Sequence, residues 1–253
     1  TRKESSAASD VYKRQSAYLA ARSLRIPFFV LETNALAGMA NKLGVKLGGV
    51  GFNAVADSGM PGDVVGIPVR PGLGADPDGA KAQRGYQMWN LDPQRKTLLV
   101  TGGSQGAVRI NQALAGAVER LTADGFQVLH AYGRNNTAPD SYEGYTAVPY
   151  IDDMEAALAV ADMVVCRSGA MTVAENSAAG LPAIYVPLPH GNGEQGLNSA
   201  HLVSTGAALR IDDAALTPDS LYEAVSEVLG DEARLEQMRA ALAESGAADV
   251  AQD

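Results

Sequence analysis

Two glycine-punctuated segments constrain this chain more than any other feature: residues 97–111, TLLVTGGSQGAVRIN, and residues 166–198, CRSGAMTVAENSAAGLPAIYVPLPHGNGEQGLN. Each reads as an apolar strand, a turn of small residues and the start of a helix. A strand that feeds a helix through so short a turn belongs to a βαβ unit, so the segments require parallel strands with helices packed on their faces. Turns of this kind also present free backbone N–H groups to an anion. Two of them in one parallel-sheet domain point to a nucleotide-diphosphate ligand.

The surrounding sequence carries the same alternation. Strands are expected at 97–101, 127–131, 145–148, 163–166, 183–186 and 207–211, with helices at 108–123, 154–160, 170–179, 194–204, 218–229 and 231–244. The prediction is an α/β fold built on a doubly wound parallel sheet, in which ligands bind at the carboxyl ends of the strands. Upstream, residues 16–23 read as a helical segment, 26–31 (IPFFVL) as a buried strand, 34–47 as a helix and 63–69 (DVVGIPV) as a further strand. Residues 70–79 are rich in Pro, Gly and Asp and read as a linker. The expected division is 16–71 and 72–253.

Several residues carry candidate chemistry. The GGSQG turn at 102–106 has neither the G-x-G-x-x-G spacing of a dinucleotide fingerprint nor the Lys-Ser/Thr of a Walker loop. Its Ser104 suits both a helix cap and a hydroxyl donor to phosphate. Arg70 reads either as a phosphate clamp, since guanidinium binds phosphate bidentately, or as a solvated surface arginine. In the second turn Ser168 is the expected N-cap. Ala170, Met171 and Thr172 offer N–H groups at the positive end of a helix dipole, and Glu175 lies where a carboxylate accepts ribose hydroxyls. Gln195 and Asn198, three apart on one helical face, have amides suited to sugar hydroxyls. His190 reads as a loop residue, His130 and His201 as structural, and Asp152-Asp153 as an N-cap pair. No His/Asp/Glu cluster has metal-ligand spacing, and no Ser-His-Asp or Cys-His arrangement is suggested.

Composition excludes several classes. The formal net charge is −9 over 253 residues, which argues against a nucleic-acid partner. The single cysteine, Cys166, lies in an apolar strand and reads as a small buried hydrophobe. No apolar run approaches the roughly 20 residues of a spanning helix, and no secretory signal is visible. Residues 5–15, SSAASDVYKRQ, match the in-frame translation of a transposon-type sequencing adapter. With no initiator Met, residues 1–15 are expected to be non-native and the gene product to be truncated at its N-terminus.

The motifs GGSQGA at 102–107, RSGAMTVAE at 167–175, EQGLN at 194–198, GIPVR at 66–70 and YIDDM at 150–154 together resemble the UDP-GlcNAc-binding half of the MurG family of peptidoglycan glycosyltransferases. The resemblance covers roughly residues 24–211. It implies the two-domain GT-B architecture, with a Rossmann-like C-terminal domain at 72–253 and the remnant of a Rossmann-like N-terminal domain at 16–71. It further implies an inverting hexosyltransferase without a cofactor, moving GlcNAc from UDP-GlcNAc to the MurNAc 4-hydroxyl of lipid I to form lipid II. The implied setting is peripheral, on the cytoplasmic face of a bacterial membrane, with lipid I and cell-wall synthesis proteins as partners.

By this resemblance Arg70 and Ser104 contact the diphosphate and Ile151 meets the uracil through its backbone. Ala170 to Thr172 lie over the phosphates, Glu175 binds the ribose, and Gln195 and Asn198 read the GlcNAc hydroxyls. Asn34, in LETNA where the family has HEQNA, faces the donor sugar. Leu31 and Thr33 replace the usual His and Gln, and Glu194 stands where Gln is common. The family's GGTGGH-like loop, with its proposed acid–base His, is not in this sequence. The general base is therefore unassigned, and the chain alone is expected to bind donor without turnover. The alternatives are such a catalytically incomplete UDP-sugar-binding fragment and a related GT-B enzyme, for example a UDP-GlcNAc 2-epimerase.

Overall fold

The computed structural model describes residues 2–70, 72–103, 107–189 and 193–245, with side chains from Lys13 onward. The chain divides into two compact units, Thr1–Ile67 and Pro68–Asp253.

The first unit contains α1 (Arg2–Ser23), β1 (Phe29–Glu32), α2 (Met39–Lys46), β2 (Val50–Asn53) and β3 (Asp63–Val64). Its strands form a parallel sheet in the order β1-β2-β3. One sheet face is covered: Val30 is buried and packs with Ala37, Met60, Tyr18, Phe28 and Val45. Tyr18 stacks on Phe28 and donates its hydroxyl to Asn41 Oδ1 at 3.2 Å.

The expected helix at 34–47 begins only at Met39. The reason is Glu32, 2% exposed at the end of β1. Its Oε1 accepts from the Asn34 backbone N–H (2.9 Å) and side-chain amide (3.1 Å), and its Oε2 from Gly38 N–H (3.0 Å) and Asn41 Nδ2 (3.0 Å). A buried carboxylate that needs these donors holds residues 34–38 out of helical conformation. The strand expected at 63–69 stops at Val64, because Gly66 takes a positive φ of 72° and Pro68 has no N–H for a ladder. The strand expected at 26–31 starts at Phe29, after Arg25 at φ 58° and Pro27. Strand β2, in the glycine-interrupted GVGFN, was not expected.

The second unit contains α3 (Ala80–Trp89), β4 (Thr97–Thr101), α4 (Val108–Ala123), β5 (Gln127–Ala131), β6 (Tyr145–Val148), α5 (Met154–Val160), β7 (Met163–Cys166), α6 (Ala170–Ala178), β8 (Ala183–Tyr185), α7 (Glu194–Asn198), α8 (Ala200–Ser204), β9 (Ala208–Arg210), a 3-10 turn at Asp213–Ala215, α9 (Pro218–Leu229) and α10 (Glu232–Glu244). The strand order is β6-β5-β4-β7-β8-β9, and each neighbouring pair is parallel. The chain builds outward from β4 to β6, then crosses to β7 and builds the other way. The topological switch point therefore lies between β4 and β7, where open α/β sheets hold their ligands.

Both sheet faces are buried, and alternate residues serve opposite faces. Leu98 and Val100 of β4, with Met163 and Val165 of β7, pack under α4 and α9 with Leu114, Leu121, Leu221 and Val225. Leu99, Val164 and Cys166 face the other way, toward Trp89, Leu158, Val173 and Tyr185. Helix α4 meets α9 closely at Gly116, where an added Cβ would lie 2.7 Å from Pro218 Cγ. Several ends shift by one residue from expectation, at α6, β8, β9 and α10, and two departures are larger. Helix α3 occupies sequence for which no element was predicted, and the helix expected at 194–204 is broken at Ser199 into α7 and α8.

Candidate functional site

Because every strand of the second unit is parallel, all its carboxyl ends share one edge. In the ladder between β4 and β7, Thr101 is paired with Cys166, so both glycine turns leave the sheet side by side. After β4, Gly103 adopts φ +78°, the left-handed region that glycine enters without penalty, and its N–H donates to Thr101 Oγ1 at 3.2 Å. Ser104 lies outside the described residues, as does His190.

After β7 the chain makes its second turn into α6. Here Gly169, not Ser168, is the N-cap, with no side-chain cap. Ser168 is fully buried, and its Oγ has no hydrogen-bond partner among the described residues. The expected serine cap is thus absent because that side chain points inward. The first intrahelical bond runs from Val173 N–H to Gly169 O at 3.0 Å. The N–H groups of Ala170, Met171 and Thr172 therefore have no intrahelical partner. Ala170 is buried and Met171 is 42% exposed. This is an uncapped helix N-terminus, which attracts an anion through both its donors and its dipole.

The polar candidates of this unit gather around that edge. Glu175, one turn into α6, is half-buried. Burial pushes its carboxyl above the ordinary glutamate range, and the Arg70 cation pulls in the opposite sense. Arg70 is thus electrostatically coupled to Glu175 while its own side chain is 65% exposed. Ile151 is buried just beyond β6, in the segment that enters α5. Asp153 caps α5 by accepting from Ala156 N–H at 3.1 Å, whereas Asp152 does not cap and pairs with Arg134 at 3.5 Å. On α7, Gln195 Oε1 accepts from Leu188 N–H at 3.0 Å, and Asn198 Nδ2 donates to Ser168 O at 3.1 Å. Asn34 belongs to the first unit, where it is bound to Glu32.

Sequence reading missed an ionic cluster at the same edge. Asp213 receives Arg167 Nη1 on Oδ1 (2.5 Å) and Arg109 Nε on Oδ2 (3.2 Å). It also missed a buried polar chain beneath α4. Asn111 Nδ2 donates to Tyr132 O (2.9 Å), which turns its Oδ1 toward His130 Nε2 (3.1 Å), while His130 Nδ1 meets the Tyr145 hydroxyl (2.7 Å). An acceptor at Nε2 fixes the Nε2–H tautomer, so Nδ1 accepts from Tyr145. Neither constellation has a local sequence signature, because its members come from separate elements.

Comparison with known proteins places this geometry. Residues 97–253 match the glycosyltransferase family 28 C-terminal domain. The UDP-N-acetylglucosamine–N-acetylmuramyl-(pentapeptide) pyrophosphoryl-undecaprenol N-acetylglucosamine transferase of Corynebacterium efficiens is 58% identical over 240 residues, which are 95% of this chain and 67% of that protein. The protein of the same name from Mycobacterium sp. strain KMS is 47% identical over 246 residues, 95% of this chain and 66% of that one. The crystal structure of Acinetobacter baumannii MurG superposes with a TM-score of 0.69 at 27% identity, covering 91% of this chain and 65% of that chain. Streptomyces sp. SF2575 glycosyltransferase SsfS6, complexed with thymidine diphosphate, shares the fold at a TM-score of 0.57 and 19% identity.

Paired turns at the switch point of a parallel sheet, with these neighbours, define a glycosyltransferase of the GT-B type. The chain spans about two thirds of the length of the relatives it matches. It belongs to the MurG family, that of the UDP-N-acetylglucosamine–N-acetylmuramyl-(pentapeptide) pyrophosphoryl-undecaprenol N-acetylglucosamine transferases.

Proposed function

We propose that the whole protein transfers GlcNAc from UDP-GlcNAc to the MurNAc 4-hydroxyl of lipid I, giving lipid II with inversion, and that this chain carries the donor-binding portion. The observation that carries this reading is the adjacency of two amide-rich turns on β4 and β7, within a chain 58% identical to a transferase of that name. In the proposed reaction a general base, unassigned in this chain, takes the proton of the 4-hydroxyl while the acceptor oxygen attacks the anomeric carbon, the bond to the diphosphate oxygen breaks, and UDP leaves with the charge. The N–H groups of Ala170, Met171 and Thr172, the α6 dipole and the Arg70 guanidinium then stabilise that developing charge. Ser104 is proposed as a further diphosphate donor, Ile151 as the uracil contact through its backbone, and Glu175 as the ribose acceptor. Gln195, Asn198 and Asn34 are proposed as sugar contacts.

The proposed setting is the cytoplasmic face of the bacterial membrane, where lipid I is presented. Peripheral attachment belongs to this reading; among the described residues no helix is long and apolar enough to cross a membrane. Residues 1–15 are proposed to be adapter-derived.

Titration calorimetry of the 253-residue chain with UDP, UDP-GlcNAc and thymidine diphosphate tests the donor assignment. Saturable binding of the uridine ligands, with thymidine diphosphate weaker, is expected; a chain that binds none of them overturns it. For the transferase assignment, the corresponding full-length protein is supplied with labelled UDP-GlcNAc and a lipid I analogue. Label in a lipid II product is expected, and release of free GlcNAc alone overturns it.

A further inference from the structure

We infer that Asp213 is a positioning residue for donor binding, one carboxylate that fixes the polypeptide at the base of several donor loops at once. The inference rests on the donor-binding reading above and concerns a residue outside every motif that supports it. Asp213 opens the 3-10 turn that follows β9, and its side chain is 10% exposed. Its Oδ1 accepts from Arg167 Nη1 at 2.5 Å, and its Oδ2 is ion-paired with Arg109 Nε at 3.2 Å.

Each guanidinium it holds stands at the root of a loop. Arg167 lies between the last residue of β7 and Ser168, so it anchors the turn that leads into the bare N-terminus of α6. The same Arg167 Nη1 also donates to the carbonyls of Val186 (3.1 Å) and Pro187 (3.3 Å), which open the loop running from β8 to α7. Arg109 is in the first turn of α4, just after the glycine turn of β4, and its Nη2 donates to Leu216 O at 3.3 Å. The turns after β4 and β7 and the loop after β8 are thus joined through Asp213, although each leaves a different strand.

The electrostatics make the carboxylate hard to replace. Arg167 has a side-chain exposure of 15%, so its charge is largely withdrawn from water and needs a partner of opposite sign. Without Asp213 two guanidinium groups face one another with no anion between them. Arg167 would then turn toward solvent or toward the donor's phosphates, and its grip on Val186 and Pro187 would be lost. An anion site works when its donors are held in place before the ligand arrives, so the effect belongs in donor affinity.

The test uses Asp213→Asn, Asp213→Glu and Arg109→Gln in the 253-residue chain. UDP affinity is measured by calorimetry well below the melting temperature of each variant. Expected is a loss of about tenfold for Asp213→Asn, partial recovery in Asp213→Glu, and a smaller loss of roughly threefold for Arg109→Gln. Arg109 is half-exposed, and its variant folds even if Asp213→Asn does not. UDP binding at the unaltered affinity by folded Asp213→Asn, or by Arg109→Gln should the former not fold, overturns the inference and leaves the donor reading intact. A parent chain that binds no UDP overturns the donor reading itself, and the inference with it.

Discussion

Arg70 and Glu155 form a long ion pair, Nη1 to Oε1 at 3.9 Å. The other oxygen of that carboxylate is nearer to Lys81, whose Nζ lies 3.4 Å from Oε2. Glu155 therefore keeps a cationic partner whether or not Arg70 remains beside it. Arg70, coupled to Glu175 as well, is an arginine held loosely between two carboxylates.

In the proposed reading a diphosphate competes with Glu155 for Arg70, so Glu155→Gln should raise UDP affinity. The gain is bounded by the worth of an exposed pair, up to ~1 kcal/mol or about fivefold. Arg70→Ala should lower affinity by about tenfold or more, the loss of a charge-assisted contact. Calorimetry on both variants checks the signs; weaker binding by Glu155→Gln refutes the competition.

Asn198 and Gln195 should separate in their effects, although both are proposed to read the sugar. Asn198 also braces the carbonyl of Ser168, at the base of the α6 turn. Asn198→Ala is expected to weaken UDP itself by roughly threefold to tenfold, the worth of one lost hydrogen bond. Gln195 braces a different loop, accepting from Leu188 N–H at 3.0 Å, so Gln195→Ala should weaken UDP less than Asn198→Ala does and UDP-GlcNAc more than UDP. Equal effects of the two substitutions on UDP would contradict this division.

If Glu175 is the proposed ribose acceptor, its raised carboxyl should give donor binding a pH dependence. Ionised, a carboxylate accepts on both oxygens and more strongly than the protonated acid does. Acidification should therefore weaken UDP binding at a pH above the ordinary glutamate range, with affinity present above that carboxyl's pKa and lost below it. In Glu175→Gln the affinity should be lower and this acid limb absent. A limb of the same midpoint in the variant assigns the titration to another group.

Stability should carry its own acid signature, from His130. Burial lowers this imidazole from 6.5 to about 4, so the folded protein holds it neutral. Between those values the unfolded chain binds a proton that the folded chain does not, and stability rises with pH. The contribution is complete above about pH 6.5 and is lost toward pH 4, on the order of 3 kcal/mol in all. Urea denaturation across that window, compared with His130→Gln, should show a shallower slope in the variant. Parallel slopes would remove His130 as the cause.

The elements read most directly from sequence are those whose pattern is local. The apolar runs of β4 and β7 and the apolar face of α4 repeat with the period of their own structure, and their bounds match the observed ones. The misread segments are those where a distant group decides the backbone. Residues 34–38 have helical composition, yet the Glu32 carboxylate takes up their N–H groups. Ser168 has an ideal capping residue type, yet its side chain is drawn inward. Motif positions Ala170, Glu175 and Asn198 could be named because a glycine turn marks their place. Asp213 could not, since its importance comes from arginines on α4 and at the end of β7 that meet only in the fold.

The pairing of Thr101 with Cys166 has a consequence for how such a domain can diversify. Adjacent strands lie about 4.8 Å apart wherever a ladder is intact. The separation between the two turns where they leave the sheet is therefore dictated by backbone pairing, whatever side chains the loops carry. In the proposed donor reading, loop residues that face base or sugar can be exchanged without altering the interval between the two turns. On that reading the sheet acts as a ruler for the invariant part of a nucleotide sugar, and the loops are left free to choose the variable part.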